Sequence, residues 1–161
     1  MSFRIFSNDL RDGGILADAH VLNQFGFNGK NISPHLAWEG EPSGTKSFVV
    51  TVYDPDAPTG SGWWHWIVVD IPNEVHELAA GAGSGNGSVP RGALQTRTDF
   101  GIAGYGGAAP PPGAPHRYIF TVHALSIDKL GVDAESSGAM VGFLMGKHTL
   151  GKATLTVTFQ A

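Results

Sequence analysis

Residues 46–58 read KSFVVTVYDPDAP. Phe48, Val50 and Val52 fall at alternate positions, so they line one face of an extended strand. Asp54 lies at the end of that same face, which means a carboxylate closes an apolar stripe. The following Asp54-Pro55-Asp56-Ala57-Pro58 stops the strand, and its two prolines hold two carboxylates in a fixed turn. The turn is also a candidate for a cis Ala57–Pro58 bond. Two other runs, residues 63–71 (WWHWIVVDI) and 116–125 (HRYIFTVHAL), are apolar or aromatic on both faces for most of their length. That is the pattern of interior strands covered on both sides. Residues 153–159 (ATLTVTF) instead alternate apolar residues with threonines, which predicts a non-central strand of an antiparallel sheet.

Shorter strands are predicted at 3–6, near 15–23 and at 36–39, with EPSGT at 41–45 as a turn. A helix is predicted over 134–147, capped by Asp133, with Met140, Phe143, Leu144 and Lys147 at helical spacing. Gly138, Gly142 and Gly146 recur every four residues there, which in so short a segment points to close packing of the helix on a sheet. Residues 79–115 form a long irregular stretch with only a fragment of strand character at 93–98. Stretches of that kind in compact domains usually carry function. No repeat or linker divides the chain, so residues 1–161 are expected to form a single domain. The expected fold is mostly β: an antiparallel sandwich of two sheets, one or two short helices, and a long Gly/Pro-rich loop.

Composition agrees. Of 161 residues, 23 are glycine, about 14% against a usual ~7%, while charged residues make up 15% against a usual ~25%. A long, solvated helical bundle is excluded by this balance. Ten Lys and Arg against 14 Asp and Glu give a net charge of −4, with no basic run, so nucleic acid is a poor partner. With no cysteine, the chain has no disulfide scaffold, zinc-thiolate site or thiol nucleophile. No secretory signal is visible at the start and no apolar run approaches ~18 residues, so a cytoplasmic chain without a transmembrane segment is expected.

Familiar catalytic patterns are missing. Residues 81–85 read GAGSG, one place off the G-x-S-x-G nucleophile elbow. The dinucleotide pattern G-x-G-x-x-G fails at each start, and there is no G-K-[ST] phosphate loop. What remains is a set of loop-to-strand junctions. If the strands at 46–54, 63–71 and 116–125 are neighbours, Asp54, Asp56, His65, His116 and Tyr118 converge at one sheet edge, roofed by residues 105–115 (YGGAAPPPGAP). Histidine, the tyrosine hydroxyl and the backbone at Gly106-Gly107 can donate hydrogen bonds to an anion, and the carboxylates can orient or protonate the histidines. A desolvated histidine beside an aspartate is expected to gain charge more easily, favouring anions at mildly acidic pH. The carboxylates in turn favour a zwitterion or a protonated phosphate monoester over a fully charged anion.

Each piece also has a purely structural reading. Asp54 and Asp56 can simply cap their own turn. His65 can be a satisfied core histidine among Trp63, Trp64 and Trp66, and His20, His35, His76, His123 and His148 read as surface or structural residues. His65, His116 and Asp54 have the donor types of a two-histidine, one-carboxylate metal site, but the flanking aromatics and prolines offer little to orient such ligands. No metal or cofactor is therefore expected.

Residues 54–58 (DPDAP), 63–69 (WWHWIVV) and 104–125 (GYGGAAPPPGAPHRYIFTVHAL) resemble signatures of the phosphatidylethanolamine-binding protein family, also called Raf kinase inhibitor-like proteins. Residues 31–38 (NISPHLAW), 44–54 (GTKSFVVTVYD) and 94–100 (LQTRTDF) extend the resemblance, which is closest to the bacterial branch. It implies a β-sandwich with a small anion pocket and no established catalysis. By motif, the pocket positions are Asp54, Asp56, His65, Tyr105, Gly107, His116 and Tyr118. The ligands implied are phosphate-like anions, phospholipid head groups and phosphorylated protein partners, with a possible modulating role in phosphorylation-dependent signalling. Ala109 stands where many members have glycine, and the loop before His116 is shorter than in animal relatives. The chain also ends at Ala161 without the helix that animal members place beside the pocket, so a homodimer covering the pocket is expected. Two other functions compete with this binding role. One is a small-ester hydrolase or lyase using an Asp–His pair as general base; the other is a dimeric interaction protein with a vestigial pocket.

Overall fold

The structure is a computed structural model that describes residues 2–161. The opening stretch forms β3 (Ser47–Asp54), the central strand of a five-stranded sheet. It pairs antiparallel with β4 (Trp63–Pro72) on one side and β7 (His116–Leu125) on the other. Beyond these lie β6 (Leu94–Gln95), beside β4, and β8 (Thr149–Phe159), beside β7. The two runs without alternation are thus interior strands, and the alternating run forms most of an edge strand. A second antiparallel sheet has the order β1 (Arg4–Phe6), β2 (Leu36–Glu39), β5 (Glu77–Leu78). This is the mostly β, two-sheet architecture expected from the sequence.

Both faces of the large sheet are covered, which explains why β4 and β7 lack a polar face. Phe48, Val50 and Val52 meet Trp66, Val68, Phe120 and Val122 on the inner side, closed by Leu36 and Trp38 of the small sheet. None of these is more than 1% exposed, and burial of each side chain of this size stabilises by roughly 1.5–3 kcal/mol. On the outer side Val49, Ile67, Val69 and Leu125 pack against Val141 and Met145 of α1 (Gly138–Met145). Among the described residues no helix is long and apolar enough to cross a membrane.

Three local expectations are corrected, and one open point is decided. The helix begins after Ser137, whose hydroxyl accepts the Met140 amide at 3.1 Å, while Asp133 accepts the Glu135 amide in a separate turn. Asp133 is thereby used up four residues before the cap. Residues 15–23 form no strand; a 3-10 turn at Asp18–His20 separates single bridges from Ile15 to Thr158 and from Val21 to Ala108. Of the three regularly spaced glycines only Gly138 packs closely, since a Cβ there would lie 2.6 Å from the Trp64 ring, whereas Gly142 has nothing within 4 Å. No peptide bond among the described residues is cis, Ala57–Pro58 included.

One irregularity bears directly on function. Val52 pairs with Trp66 and Tyr53 with Trp64, so His65 is an extra residue in β4. This β-bulge turns two consecutive side chains, His65 and Trp66, toward the inner face, against the two-residue period of a regular strand. Trp66 joins the inner core, and the His65 ring meets Tyr118 edge-on at 5.2 Å.

Candidate ligand-binding site

At the end of the large sheet where β3 stops and β7 begins, a cavity of about 340 Å³ opens. Its polar residues are Asp54, Thr59, His65, His116 and Tyr118, and its apolar walls include Pro58, Trp63, Phe100 and the Ala109–Pro110–Pro111 segment. The expected convergence of Asp54, His65, His116 and Tyr118 is therefore present, and the proline-rich loop contributes to the roof.

Antiparallel pairing places the last residue of β3 close to the first of β7, and there Asp54 Oδ2 accepts a hydrogen bond from His116 Nδ1 at 2.7 Å. Asp54 is 2% exposed, and its other oxygen accepts the Asp56 amide at 2.7 Å. With Nδ1 engaged, His116 has Nε2 left for a ligand, as an acceptor when neutral and a donor when charged.

His65 behaves differently. Its Nδ1–H donates to the Gly106 carbonyl at 2.7 Å, and burial drives its pKa down, outweighing that hydrogen bond and the nearby Asp54 charge. The expectation that a desolvated histidine near a carboxylate gains charge is thus wrong for His65, which is held neutral with Nε2 as an acceptor. Its ring packs edge-on against Phe100 at 5.5 Å, and Phe100 packs likewise on Trp63 at 5.3 Å. Asp99 pins this aromatic group to β4 by accepting the Trp64 amide at 2.7 Å.

The Tyr118 hydroxyl is buried without a hydrogen-bond partner, and so is the Trp63 indole N–H. Burial, reinforced by the Asp54 charge, pushes the Tyr118 phenol well above its ordinary pKa, so it stays a neutral donor. A buried donor left unmatched costs about 1–3 kcal/mol.

Three residues expected in the pocket do not line it. The Asp56 carboxylate turns outward into a two-pronged pair with Arg117, at 3.0 Å to Nε and 2.9 Å to Nη2, and the hydrogen bonds to Arg117 lower its pKa to about 2. Tyr105 donates its hydroxyl to the His20 carbonyl at 2.7 Å. Gly107 donates its amide to Asn31 Oδ1 at 2.7 Å, in a space so tight that a Cβ would lie 2.4 Å from the His20 carbonyl. Tyr105 and Gly107 therefore fasten the loop to residues 20–31, leaving Ala109–Pro111 to face the cavity. Sequence reasoning did not single out Phe25 or Phe100 as lining residues. The string LQTRTDF ends on Phe100 and could have flagged it, whereas Phe25 has no local signal. Among the described residues no cluster of three or more histidines and carboxylates is placed to hold a metal ion.

Comparison with known proteins agrees with the fold. The family model described as phosphatidylethanolamine-binding protein matches residues 6–160. The chain belongs to that family. It is 61% identical to UPF0098 protein YbhB of Escherichia coli over 156 residues, covering 97% of this chain and 99% of that one. UPF0098 protein YbcL of the same organism is 51% identical over 161 residues, covering 99% of this chain and 88% of that one. The crystal structure of E. coli YbcL superposes with a TM-score of 0.96 at 50% identity, over 100% of this chain and 99% of that one. A Chlamydia trachomatis homologue, CT736, superposes with a TM-score of 0.84 at 28% identity, over 99% of this chain and 98% of that one. Residues 54–58, 63–69 and 104–125, whose motifs carried the family resemblance, all contribute to the cavity.

Proposed function

We propose that this family member is a non-enzymatic binding protein whose cavity takes a phosphoryl or carboxylate head group. The observation that carries the reading is the Tyr118 hydroxyl, a buried donor without a partner in the same cavity as the Asp54–His116 pair. Such donors are rare in folded proteins and are matched when an acceptor arrives. The Trp63 N–H is a second donor, the bond to Asp54 leaves His116 Nε2 free for a ligand, and His65 Nε2 accepts from a protonated oxygen or an ammonium group. Asp54 repels a bare dianion, so a monoprotonated phosphate monoester or a zwitterionic head group fits best. A phospholipid head group and a phosphorylated side chain of a protein both present that chemistry.

The test is calorimetric titration with inorganic phosphate and phosphoethanolamine between about pH 5 and 8. Affinity is expected to fall as pH rises and the phosphate becomes a dianion that Asp54 repels, and a flat profile would remove the preference for a protonated phosphate from the reading. Tyr118→Phe is expected to weaken binding roughly tenfold or more, yet raise the stability of the empty protein by ~1 kcal/mol, because it deletes an unmatched hydroxyl. One specific observation favours the hydrolase reading: an Asp–His pair at 2.7 Å is the arrangement of a general base and its orienting group. Turnover of small esters that disappears in His116→Ala would establish it over binding alone.

A further inference from the structure

Beside the head-group cavity lies a second cleft of about 120 Å³, which shares with it the side chains of Phe25 and Phe100. Leu22, Thr98, Ile102 and Tyr105 line it further, with the uncharged amides Gln24 and Asn31 at its border, and no lysine, arginine, histidine or carboxylate does. Phe25 is 77% exposed and Ile102 71%, so two large apolar side chains stand in water beside one small cleft. Phe25 also has a φ of +56°, a conformation that is strained for an aromatic residue and persists only where the surroundings enforce it. The main cavity points the same way, because apart from Thr59 its polar side chains are those of Asp54, His65, His116 and Tyr118, and its other walls are aromatic, proline and alanine. A bare phosphate would leave those walls wet.

We propose that the cleft between Phe25 and Ile102 is a second subsite, which takes the short apolar tail of a soluble amphiphile whose anionic head fills the neighbouring cavity. This rests on the head-group reading and adds the ligand's other half. The absence of charge in the cleft requires an uncharged tail. Its small volume selects a short alkyl or compact ring substituent over the long chains of a lipid held in a bilayer.

The experiment titrates wild type, Ile102→Ser, Phe25→Ser and His116→Ala with methyl, butyl, hexyl and decyl phosphate below their micellar concentrations, and sediments wild type with phosphatidylethanolamine/phosphatidylcholine vesicles. For wild type, affinity rises up to ~4-fold per methylene as far as about butyl and then levels off. Ile102→Ser flattens that rise while leaving methyl phosphate within about twofold of wild type, since Ile102 is exposed and lines only the second cleft; Phe25→Ser, whose residue also borders the head-group cavity, flattens the rise as well. Vesicles do not retain the protein. Methyl phosphate bound with no tail dependence overturns the subsite alone, as does a rise unchanged in both serine variants. A rise continuing to decyl, or retention by vesicles, overturns the short soluble tail in favour of a membrane lipid. Failure of every phosphate to bind, or binding indifferent to His116→Ala, overturns the head-group reading and the subsite with it.

Discussion

The two faces of β7 treat polar groups in opposite ways. Toward the outside, Arg117 is paired with Asp56, and His123 shares a hydrogen bond with Thr51 Oγ1 at 3.1 Å. Toward the inside, His116 is bonded through one nitrogen to Asp54, and two residues on, Tyr118 buries a hydroxyl with no partner. The outward groups are matched within the chain. The inward ones are left incomplete beside a cavity, at a cost to folding that a ligand's acceptor can offset. The strand thus carries matched, less buried groups outward and unmatched, buried ones inward, and substitutions can separate the two faces.

The largest effect is expected from His116→Ala. It leaves the Asp54 carboxylate buried without its partner, so stability should fall by about 3 kcal/mol in urea unfolding and head-group binding should be lost. His123→Ala should leave head-group binding as it is in wild type. Equal loss of binding in both variants would erase the distinction between the faces.

Acid unfolding tests the outer face. Burial, aided by the Lys152 charge, lowers the pKa of His123 to about 4. The folded value lies below the unfolded one of about 6.5, so the unfolded chain takes up the proton first; stability is full above that pH and declines as pH falls toward 4. The contribution is at most ~3 kcal/mol for His123, and neutral, buried His65 adds a loss of the same sign. Urea midpoints at about pH 7.5 and 4.5 should differ markedly for wild type and much less for His123→Phe. An undiminished difference in the variant would place the acid sensitivity elsewhere.

How legible this was in the sequence depended on how local each cause is. The strands β3, β4, β7 and β8 follow from side-chain periodicity, because burial on one or both faces is written directly into alternation or its absence. Asp54, His116 and Tyr118 could be placed together because strand ends and side-chain parity predict neighbours across an antiparallel pair. Other features depend on distant partners. The outward turn of Asp56 depends on Arg117, 61 residues away, and Gly107 is committed to Asn31, 76 residues away. The bulge at His65 interrupts the very period from which its direction would be read. Asp133 and Ser137 are both acceptable helix caps by residue type, and only the local turn made by Asp133 decides between them.

The smallest effect is expected at Asp56, and it sharpens the comparison because Asp56 belongs to the same turn as Asp54. Its pair with Arg117 has good two-pronged geometry, but the side chains are 30% and 56% exposed, where water and salt screen most of the attraction. The folded pKa of about 2 lies below the ordinary aspartate value, so the carboxylate stabilises the fold above that ordinary value and loses its contribution as pH falls through 2. At neutral pH, Asp56→Asn should lower the unfolding temperature by less than about 2 °C, and the difference from wild type should shrink further in high salt. Its affinity for phosphate should match wild type, because the carboxylate faces away from the cavity. A loss of phosphate binding comparable to that of His116→Ala would mean that the turn swings inward when a ligand enters, and the division between matched outer groups and unmatched inner ones would then describe only the empty protein.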